Sequence, residues 1–126
     1  MSINRREFMI WLSGFVLLPM SSYAQSPQRG NNMYGLIGKI ISTDRDKLSA
    51  ILIQGVAGMP GCLSYIVAND SVDADALWIT EVWESAEKHK ASLSLQSVQD
   101  AIAKGRPLIT GFAERFETQP LGGQGI

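Results

Sequence analysis

The amino-acid sequence predicts one small α+β domain built on a four-stranded antiparallel sheet. The chain has 126 residues, which is enough for a single domain. Segments with strand-like and helix-like patterns follow one another in the order βαββαβ, and glycine, proline or short polar residues separate them. Segments in this order form the ferredoxin-like arrangement, in which both helices cover the same face of the sheet.

The first half of this pattern is a strand, a helix and a second strand. Tyr34 to Thr43 is rich in isoleucine and alternates weakly, which predicts a strand. Thr43 or Asp44 is placed to cap the helix that follows, because short polar side chains accept hydrogen bonds from a helix's first amides. Met59-Pro60-Gly61 predicts a turn, and Cys62 to Asn69 predicts the second strand.

The second half repeats the order strand, helix, strand. Ala76 to Trp83 alternates regularly and predicts the third strand. Ser85 is placed to cap a second helical region, which we expect to run on to Ile102. Gly105-Arg106-Pro107 ends this region, since proline lacks the amide hydrogen that a helix needs.

Leu108 to Thr118 predicts the last strand, with Phe112 and Phe116 expected on one face. Because the helices cover one face of the sheet, the other face is expected to be open and partly apolar. A monomer rarely leaves a large apolar patch exposed. The sequence therefore predicts a homodimer in which two sheets pair face to face.

Residues 1–24 have the pattern of a bacterial export signal. Arg5 and Arg6 are followed by an apolar stretch from Phe8 to Met20, and small residues precede a cleavage position after Ala24. The apolar stretch is short for a membrane span, which favours a cleaved signal and only transient contact with the membrane.

The segment Asn4-Arg5-Arg6-Glu7-Phe8-Met9 resembles a twin-arginine signal, although Asn4 and Ile10 depart from its usual pattern. An ordinary secretory signal is the alternative. Either signal predicts a periplasmic or secreted protein. We therefore predict a signal peptide over 1–24, a flexible linker over 25–33, the folded domain over 34–118 and a disordered tail over 119–126.

Composition argues against several other classes of function. Beyond residue 24 the chain carries nine basic and eleven acidic residues, so it lacks the positive charge expected of a nucleic-acid-binding protein. Cys62 is the single cysteine, which excludes an internal disulfide and a cysteine-based zinc site. His89 is the single histidine, which argues against a metal site made by protein ligands alone.

Four local patterns resemble the antibiotic biosynthesis monooxygenase (ABM) family. They are Met59-Pro60-Gly61-Cys62-Leu63, Ile79-Thr80-Glu81-Val82-Trp83-Glu84-Ser85, His89-Lys90-Ala91-Ser92-Leu93 and Arg106-Pro107-Leu108. Their order and spacing extend the resemblance over roughly Tyr34 to Thr118. The resemblance implies a dimeric α+β barrel and a quinol-type monooxygenase that uses no metal or organic cofactor. Its partners would be a small aromatic substrate and molecular oxygen, because electron-rich phenols, quinols and anthrones supply the electrons themselves once deprotonated.

Trp83 and His89 are the candidate catalytic residues that follow from this resemblance. Trp83 lies where the family carries its tryptophan, and its flat ring could stack on an aromatic substrate or simply pack in the core. His89 lies where a substrate-contacting tyrosine occurs in the anthrone-oxidising members, and an imidazole there could share a phenolic proton. Many members carry a helix histidine three residues later, where this chain has Ser92.

Tyr65, Trp78 and Glu81 are candidate substrate-binding residues. The two aromatic side chains could line a pocket, and packing on the sheet face is the alternative for both. Glu81 could act as a general base if it is buried, because loss of water raises the pKa of a carboxyl group. Pairing of Glu81 with Arg115 or Lys39 across the sheet is the interpretation that we favour from the sequence.

Three functions stay open at this point. The first is oxidation of a quinol- or anthrone-like aromatic. The second is a non-enzymatic role, either as a periplasmic binder of small aromatics or as a stress-related dimer, because a fold does not define a function. The third is haem degradation, which related dimeric barrels perform with a helix histidine. This chain has Ser92 and Ile102 at the positions that correspond to that histidine, which makes haem degradation the least favoured of the three.

Overall fold

The structure is a computed structural model that describes Phe8, Trp11, Leu12 and residues 32–126. Apart from those three residues and Asn32 and Met33, the predicted signal peptide and linker lie outside the described residues. The elements in chain order are β1 (Tyr34–Ser42), α1 (Arg45–Gly55), β2 (Cys62–Asn69), β3 (Ala76–Trp83), α2 (Ala86–Ser92), α3 (Gln96–Gly105), a short 3-10 turn (Arg106–Leu108) and β4 (Ile109–Thr118).

The four strands form one antiparallel sheet in the order β2-β3-β1-β4. The predicted α+β, ferredoxin-like βαββαβ fold is confirmed, and the sheet of this chain is open rather than closed into a barrel. Helices α1 and α3 pack closely where Gly55 meets Ala101, since a β-carbon added at Gly55 would lie 2.5 Å from that side chain. Among the described residues, no helix has both the length and the apolar character needed to cross a membrane.

Both predicted caps are present. The Asp44 side chain accepts a hydrogen bond from the backbone N–H of Lys47 at 3.0 Å, and Ser85 accepts one from Lys88 at 3.1 Å. Each cap satisfies an amide that has no partner within the helix. The second cap sets where α2 begins, and therefore where His89 lies one turn later.

The second helical region differs from the prediction, because it consists of two helices instead of one. The chain turns at Leu93, Ser94 and Leu95, whose amides donate to carbonyls three residues back. Both leucines pack on the cluster around Trp83. In an unbroken α-helix they would point about 200° apart, because each residue turns the helix by about 100°. The break therefore lets two neighbouring leucines reach the same core.

The expectation that Phe112 and Phe116 share a face is wrong. Phe112 pairs with Ile40 on the helix-covered face, whereas Phe116 pairs with Ile37 on the open face. The register shifts between Lys39 and Ile40, which adds one residue to β4 at this point. Such a β-bulge reverses the alternation of side chains beyond it, and simple alternation along the sequence does not reveal it.

Two groups of buried side chains fill the space between sheet and helices. One comprises Phe8, Ile40, Leu48, Leu77, Ile79 and Ile109. The other comprises Met59, Trp83 and Val98. Fully burying one such side chain stabilises the fold by about 1.5–3 kcal/mol. On the open face, by contrast, Ile66 and Phe116 stay 55% and 51% exposed.

Candidate functional site

The side of β3 that faces the helices carries the central residues of the candidate site. Alternation along the strand turns Glu81 and Trp83 toward the helices, where both are buried. Across the sheet, Glu81 faces Tyr65 on β2 and Trp83 faces Tyr34 on β1. His89 reaches the same place from α2. Three neighbouring strands and one helix thus assemble a cluster of polar and aromatic side chains.

Glu81, Trp83 and His89 contact one another directly. The indole Nε1 of Trp83 donates a hydrogen bond to Glu81 Oε1 at 2.9 Å. His89 Nε2 lies 3.9 Å from the same oxygen. The imidazole also meets the edge of the Trp83 ring, with centroids 5.4 Å apart and planes at 71°. The two residues that the sequence indicated as catalytic are therefore neighbours, and Glu81 lies between them.

Burial changes the pKa values of both titratable groups in opposite directions. Desolvation raises the pKa of Glu81 to about 7, against a smaller lowering by the Trp83 hydrogen bond and by Arg115. Desolvation also lowers the pKa of His89 to about 4, with a further lowering by the charge of Arg115. At neutral pH the imidazole is uncharged, so its 3.9 Å approach to Glu81 is not an ion pair. Between about pH 4 and pH 7 both side chains are predominantly neutral.

Two hydroxyl groups border this cluster. Tyr65 is half-buried, and its pKa is raised well above the usual value by loss of water and then by the nearby carboxyl of Glu81. Its phenol therefore stays protonated and can act as a hydrogen-bond donor. The Ser92 hydroxyl donates to the backbone carbonyl of His89 and is itself buried. This contact holds the helix backbone that carries the imidazole.

Tyr34 and Arg115 flank His89 on its other side. The Tyr34 ring lies 5.2 Å from the imidazole, and its hydroxyl accepts a hydrogen bond from Arg115 Nη2 at 3.3 Å. Arg115 Nη1 bonds Glu117 at 2.9 Å, while its Nε is buried without a hydrogen-bond partner among the described residues. A donor of this kind is suited to a partly negative oxygen.

The favoured pairing of Glu81 with Arg115 or Lys39 is wrong. Arg115 pairs with Glu117 instead, and Lys39 pairs with Asp70 at 3.5 Å. The physical reason is the pleat of the sheet: Lys39 faces Trp78 across the strands, on the face opposite Glu81. The carboxyl of Glu81 consequently has an indole and a neutral imidazole as neighbours rather than a paired cation.

The structure does not bring Trp78 into this cluster. Trp78 lies on the open face of the sheet, where its Nε1 donates to Asp70 Oδ2 at 2.7 Å. Lys39 Nζ lies 5.6 Å from its ring centroid. Trp78 therefore does not line a pocket with Trp83, since residues five apart on a strand point to opposite faces, and it packs on the sheet face instead, which was the alternative from the sequence.

A cavity of about 60 Å³ lies beside Glu81, Trp83 and His89. Tyr65 and Ser92 add further polar atoms to its wall, and leucine, valine and isoleucine side chains from α1 and α3 supply most of the rest. An apolar cavity with a few convergent polar groups is typical of small-molecule sites. In the described part of the chain, no three histidine, cysteine or acidic side chains are grouped to hold a metal ion.

Sequence reasoning missed two residues that line this cavity, Phe8 and Leu12. Both lie in the segment interpreted as an export signal, which we expected to be separate from the domain. Their apolar character was visible in the sequence, but it was fully explained by export. Sequence reasoning also assigned Arg115 a different partner from the one that it has.

Comparison with known proteins places this site in a family. The model of the family described as antibiotic biosynthesis monooxygenase matches residues 45–104. A solved structure from Chloroflexus aurantiacus, whose name assigns it provisionally to the antibiotic biosynthesis monooxygenases, is 65% identical in sequence. The match covers 73% of this chain and 96% of that one, with a TM-score of 0.71. No curated protein matches the chain.

More distant solved structures share the fold. A Caulobacter crescentus protein with the same provisional name is 16% identical, with 73% of this chain and 92% of that chain covered and a TM-score of 0.62. SnoaB, a cofactor-independent oxygenase from Streptomyces nogalater, is 10% identical in sequence. The match covers 74% of this chain and 97% of that chain, with a TM-score of 0.62. The fold, the family model and the 65% identical relative together show that this chain belongs to the antibiotic biosynthesis monooxygenase family.

Proposed function

We propose that this chain is a monooxygenase that oxidises a quinol- or anthrone-like aromatic with molecular oxygen, without a metal or organic cofactor. The observation that carries the proposal is a buried carboxyl, Glu81, whose pKa is raised to about 7 and which lies beside the neutral imidazole of His89. A general base is most effective when its pKa lies near the working pH. The description of SnoaB as a cofactor-independent oxygenase supports the same chemistry on this fold.

The reaction requires one proton acceptor and a site that excludes water. Removal of a proton from the substrate leaves an anion that is electron-rich enough to react with oxygen. One oxygen atom then enters the substrate, and the other leaves as water with two hydrogens from the substrate. A hydroquinone becomes a hydroxyquinone in this way, and an anthrone CH₂ becomes a carbonyl. The substrate supplies all of the electrons, so the balance needs no separate reductant.

The described residues divide this task between them. Neutral His89 can accept a hydrogen bond from the substrate hydroxyl, and Glu81 can take up the proton. The Trp83 indole holds the Glu81 carboxyl in place through its 2.9 Å hydrogen bond. The positive charge of Arg115, which lowers the pKa values of both Glu81 and His89, favours an anion in this site. The apolar side chains of α1 and α3 keep water away from the reacting carbon.

Oxygen uptake by metal-free protein, measured with a panel of hydroquinones and anthrones, tests this function. We expect uptake above the buffer rate at pH 7–8. Glu81→Gln should lower kcat by about 10²- to 10⁴-fold, the contribution typical of a general base. Glu114→Gln is the matched control, because Glu114 is an exposed carboxylate on β4.

Equal activity of the Glu81→Gln and Glu114→Gln proteins would remove Glu81 from the mechanism. Uptake no faster than buffer across the whole panel would count against the oxygenase itself. In that case the second candidate, a non-enzymatic binder of small aromatics, is preferred. The largely apolar wall of the cavity, which includes the rings of Tyr65 and Trp83, is the observation that supports this alternative, because binding an aromatic compound requires no proton transfer. It predicts saturable binding of the same compounds with no oxygen consumption.

The site of action and the assembly state complete the proposal. The export pattern in residues 1–24 supports work in the periplasm or outside the cell, where a substrate that supplies its own electrons is an advantage. Exposed Ile66 and Phe116 on the open sheet face support a homodimer. Fractionation of cells that express the full chain tests the proposed export. Sedimentation of the purified protein tests the proposed homodimer.

A further inference from the structure

Three residues from the N-terminal segment lie against the helix-covered face of the sheet. Phe8 is only 4% exposed and belongs to the buried cluster with Ile40, Leu48 and Ile109. Its ring centroid lies 5.5 Å from that of Phe112. Trp11 stacks on the same Phe112 ring, with centroids 4.5 Å apart and planes at 15°. These are the contacts of a specifically bound aromatic group.

The strand beneath Trp11 is shaped to admit it. A β-carbon added at Gly38 would lie 2.5 Å from Cζ2 and 2.6 Å from Cη2 of the Trp11 indole. The next nearest atom, the backbone oxygen of Glu114, is 3.8 Å away. Gly38 therefore leaves room for the indole, and larger residues at this position would exclude it. Without Trp11, the same position would accept a methyl group at ordinary contact distance.

The docked segment and the candidate site share one cavity. Phe8 and Leu12 form part of the wall that also contains Glu81, Trp83 and His89. With both apolar side chains in place the cavity measures about 60 Å³, well short of the roughly 300–1,000 Å³ of ligand pockets. Departure of these side chains would open an apolar space floored by Phe112 and Ile40 and bounded on one side by the polar cluster.

We propose that the groove over Gly38 and Phe112 is the aromatic-binding half of the substrate site, and that Phe8, Trp11 and Leu12 occupy it as an internal ligand. The N-terminal segment then blocks the site until it is removed or displaced. The regulation of activity by this segment rests on the proposed function. The occupation of the groove does not, because it rests on the contacts of Phe8 and Trp11 alone.

The covalent connection makes this occupant a strong competitor. A group tethered to its own site binds at an effective concentration that a free aromatic compound in dilute solution does not reach. Cutting the tether removes this advantage and leaves only the intrinsic affinity of the segment. Proteolytic removal of the predicted export signal would therefore open the site after export, and the chain would stay inactive before it.

Limited proteolysis of the full chain tests the docking directly. Chymotrypsin cuts after Phe8 only when this side chain leaves the groove, so the rate of that cleavage, followed by mass spectrometry, reports undocking. We expect slow cleavage in the parent chain and at least tenfold faster cleavage in the Gly38→Ala protein. Gly111→Ala is the matched control, because a β-carbon there meets only Ile41 atoms at 3.8 Å. It should leave the rate unchanged.

A second variant separates undocking from general damage to the fold. Trp11→Ala removes the indole and should accelerate cleavage after Phe8 by a similar factor. In this background Gly38→Ala should add no further acceleration, because the side chain that it clashes with is gone. Equal acceleration by Gly38→Ala and Gly111→Ala would overturn the proposal. So would rapid cleavage after Phe8 in the parent chain.

Ligand binding gives a readout that does not depend on turnover. Anilinonaphthalenesulfonate, a flat fluorescent aromatic, should bind the Trp11→Ala chain at least tenfold more tightly than the parent, because this variant vacates the groove without narrowing it, with Gly111→Ala like the parent. If oxygen uptake exists, the same variant should lower KM by a comparable factor. Absence of uptake in every variant, with these binding and cleavage differences intact, would refute the oxygenase but not the internal ligand. Unchanged probe binding would refute the internal ligand.

Discussion

Strand β3 carries one indole donor on each face of the sheet, and each donates to a carboxyl group with opposite consequences. On the helix-covered face, the Trp83 indole donates to Glu81, and the pKa of that carboxyl is raised to about 7. On the open face, the Trp78 indole donates to Asp70, and the pKa of that carboxyl falls well below its usual value. An indole hydrogen bond by itself therefore does not decide the charge of its acceptor.

The surroundings of the two carboxyl groups explain the difference. Asp70 is only partly exposed to water, but it accepts hydrogen bonds from the backbone amides of Asp73 and Val72, which lower its pKa most, and Lys39 lies 3.5 Å away. Glu81 is enclosed, and its second close neighbour is an uncharged imidazole. On the open face Asp70 is therefore a permanent anion, and its hydrogen bonds hold the connection between β2 and β3 in place. The covered face keeps a carboxyl that can gain or lose a proton near neutral pH.

Glu81→Gln should give the largest effect on stability, and its size should depend on pH. The raised pKa means that folding favours the protonated carboxyl, so the contribution of Glu81 is present below about pH 4.5 and lost as pH rises through about 7. A shift from 4.5 to about 7 corresponds to about 3 kcal/mol. Relative to the parent, the glutamine protein should gain this amount between pH 4.5 and pH 8, measured by urea unfolding.

Asp70→Asn is the counterpart on the open face and should show the opposite pH dependence. A lowered pKa gives stability that is present above about pH 4 and lost as pH falls further. The asparagine protein should therefore be less stable than the parent at neutral pH and approach it in acid. If the stabilities of the Glu81→Gln and Asp70→Asn proteins, each relative to the parent, changed with pH in the same direction, the two faces would not differ as described.

His89→Asn tests the second titrating group of the covered face. The pKa of His89 falls from 6.5 to about 4, so folding favours the neutral imidazole and the parent loses stability as pH drops through this window. Between pH 6.5 and pH 4 the asparagine protein should gain about 3 kcal/mol relative to the parent. In the parent this loss opposes the gain from Glu81, so its own unfolding free energy should stay nearly flat from pH 4.5 to 6.5. A steep slope there would contradict the assignment.

Trp83→Phe and Trp78→Phe compare the two indole donors at constant aromatic packing. Trp83 is 1% exposed, so its loss leaves a buried carboxyl without its donor and should cost about 2 kcal/mol, with a further rise in the pKa of Glu81. Asp70 keeps two amide donors and Lys39, so loss of Trp78 should cost about 1 kcal/mol or less. Thermal and urea unfolding measure both, and equal costs would show that burial does not control the value of the bond.

The last prediction concerns the open face as a surface and leaves the stability of the fold unchanged. Ile66→Asp or Phe116→Asp should raise the dissociation constant of the predicted homodimer at least tenfold, or about 1.4 kcal/mol, without changing the fold. Val72→Asp is the control, because Val72 is 92% exposed in the hairpin. Sedimentation across a range of protein concentrations measures the equilibrium. A parent chain that sediments as a monomer at micromolar concentration would refute the dimer.

The order of elements, both helix caps and all four strands were predictable from the sequence, the strands within one residue at each end. Local signals control these features: Asp44 and Ser85 cap because their side chains reach nearby amides, and β3 alternates because it has one buried face. The neighbourhood of Trp83 and His89 was also predictable, because both follow from the end of one strand and the start of the next helix.

Contacts between residues distant in the chain were decided only by the tertiary structure. The bulge in β4 turns Phe112 inward, and the pairing of β1 with β3 places Lys39 beside Trp78 on the face opposite Glu81. Neither is visible as a local pattern. The docking of Phe8 and Trp11 joins residues about a hundred positions apart. The sequence by itself determined which residues could carry the chemistry. Burial between sheet and helices decided that Glu81 is the carboxyl able to exchange a proton near neutral pH, because only the fold removes its water.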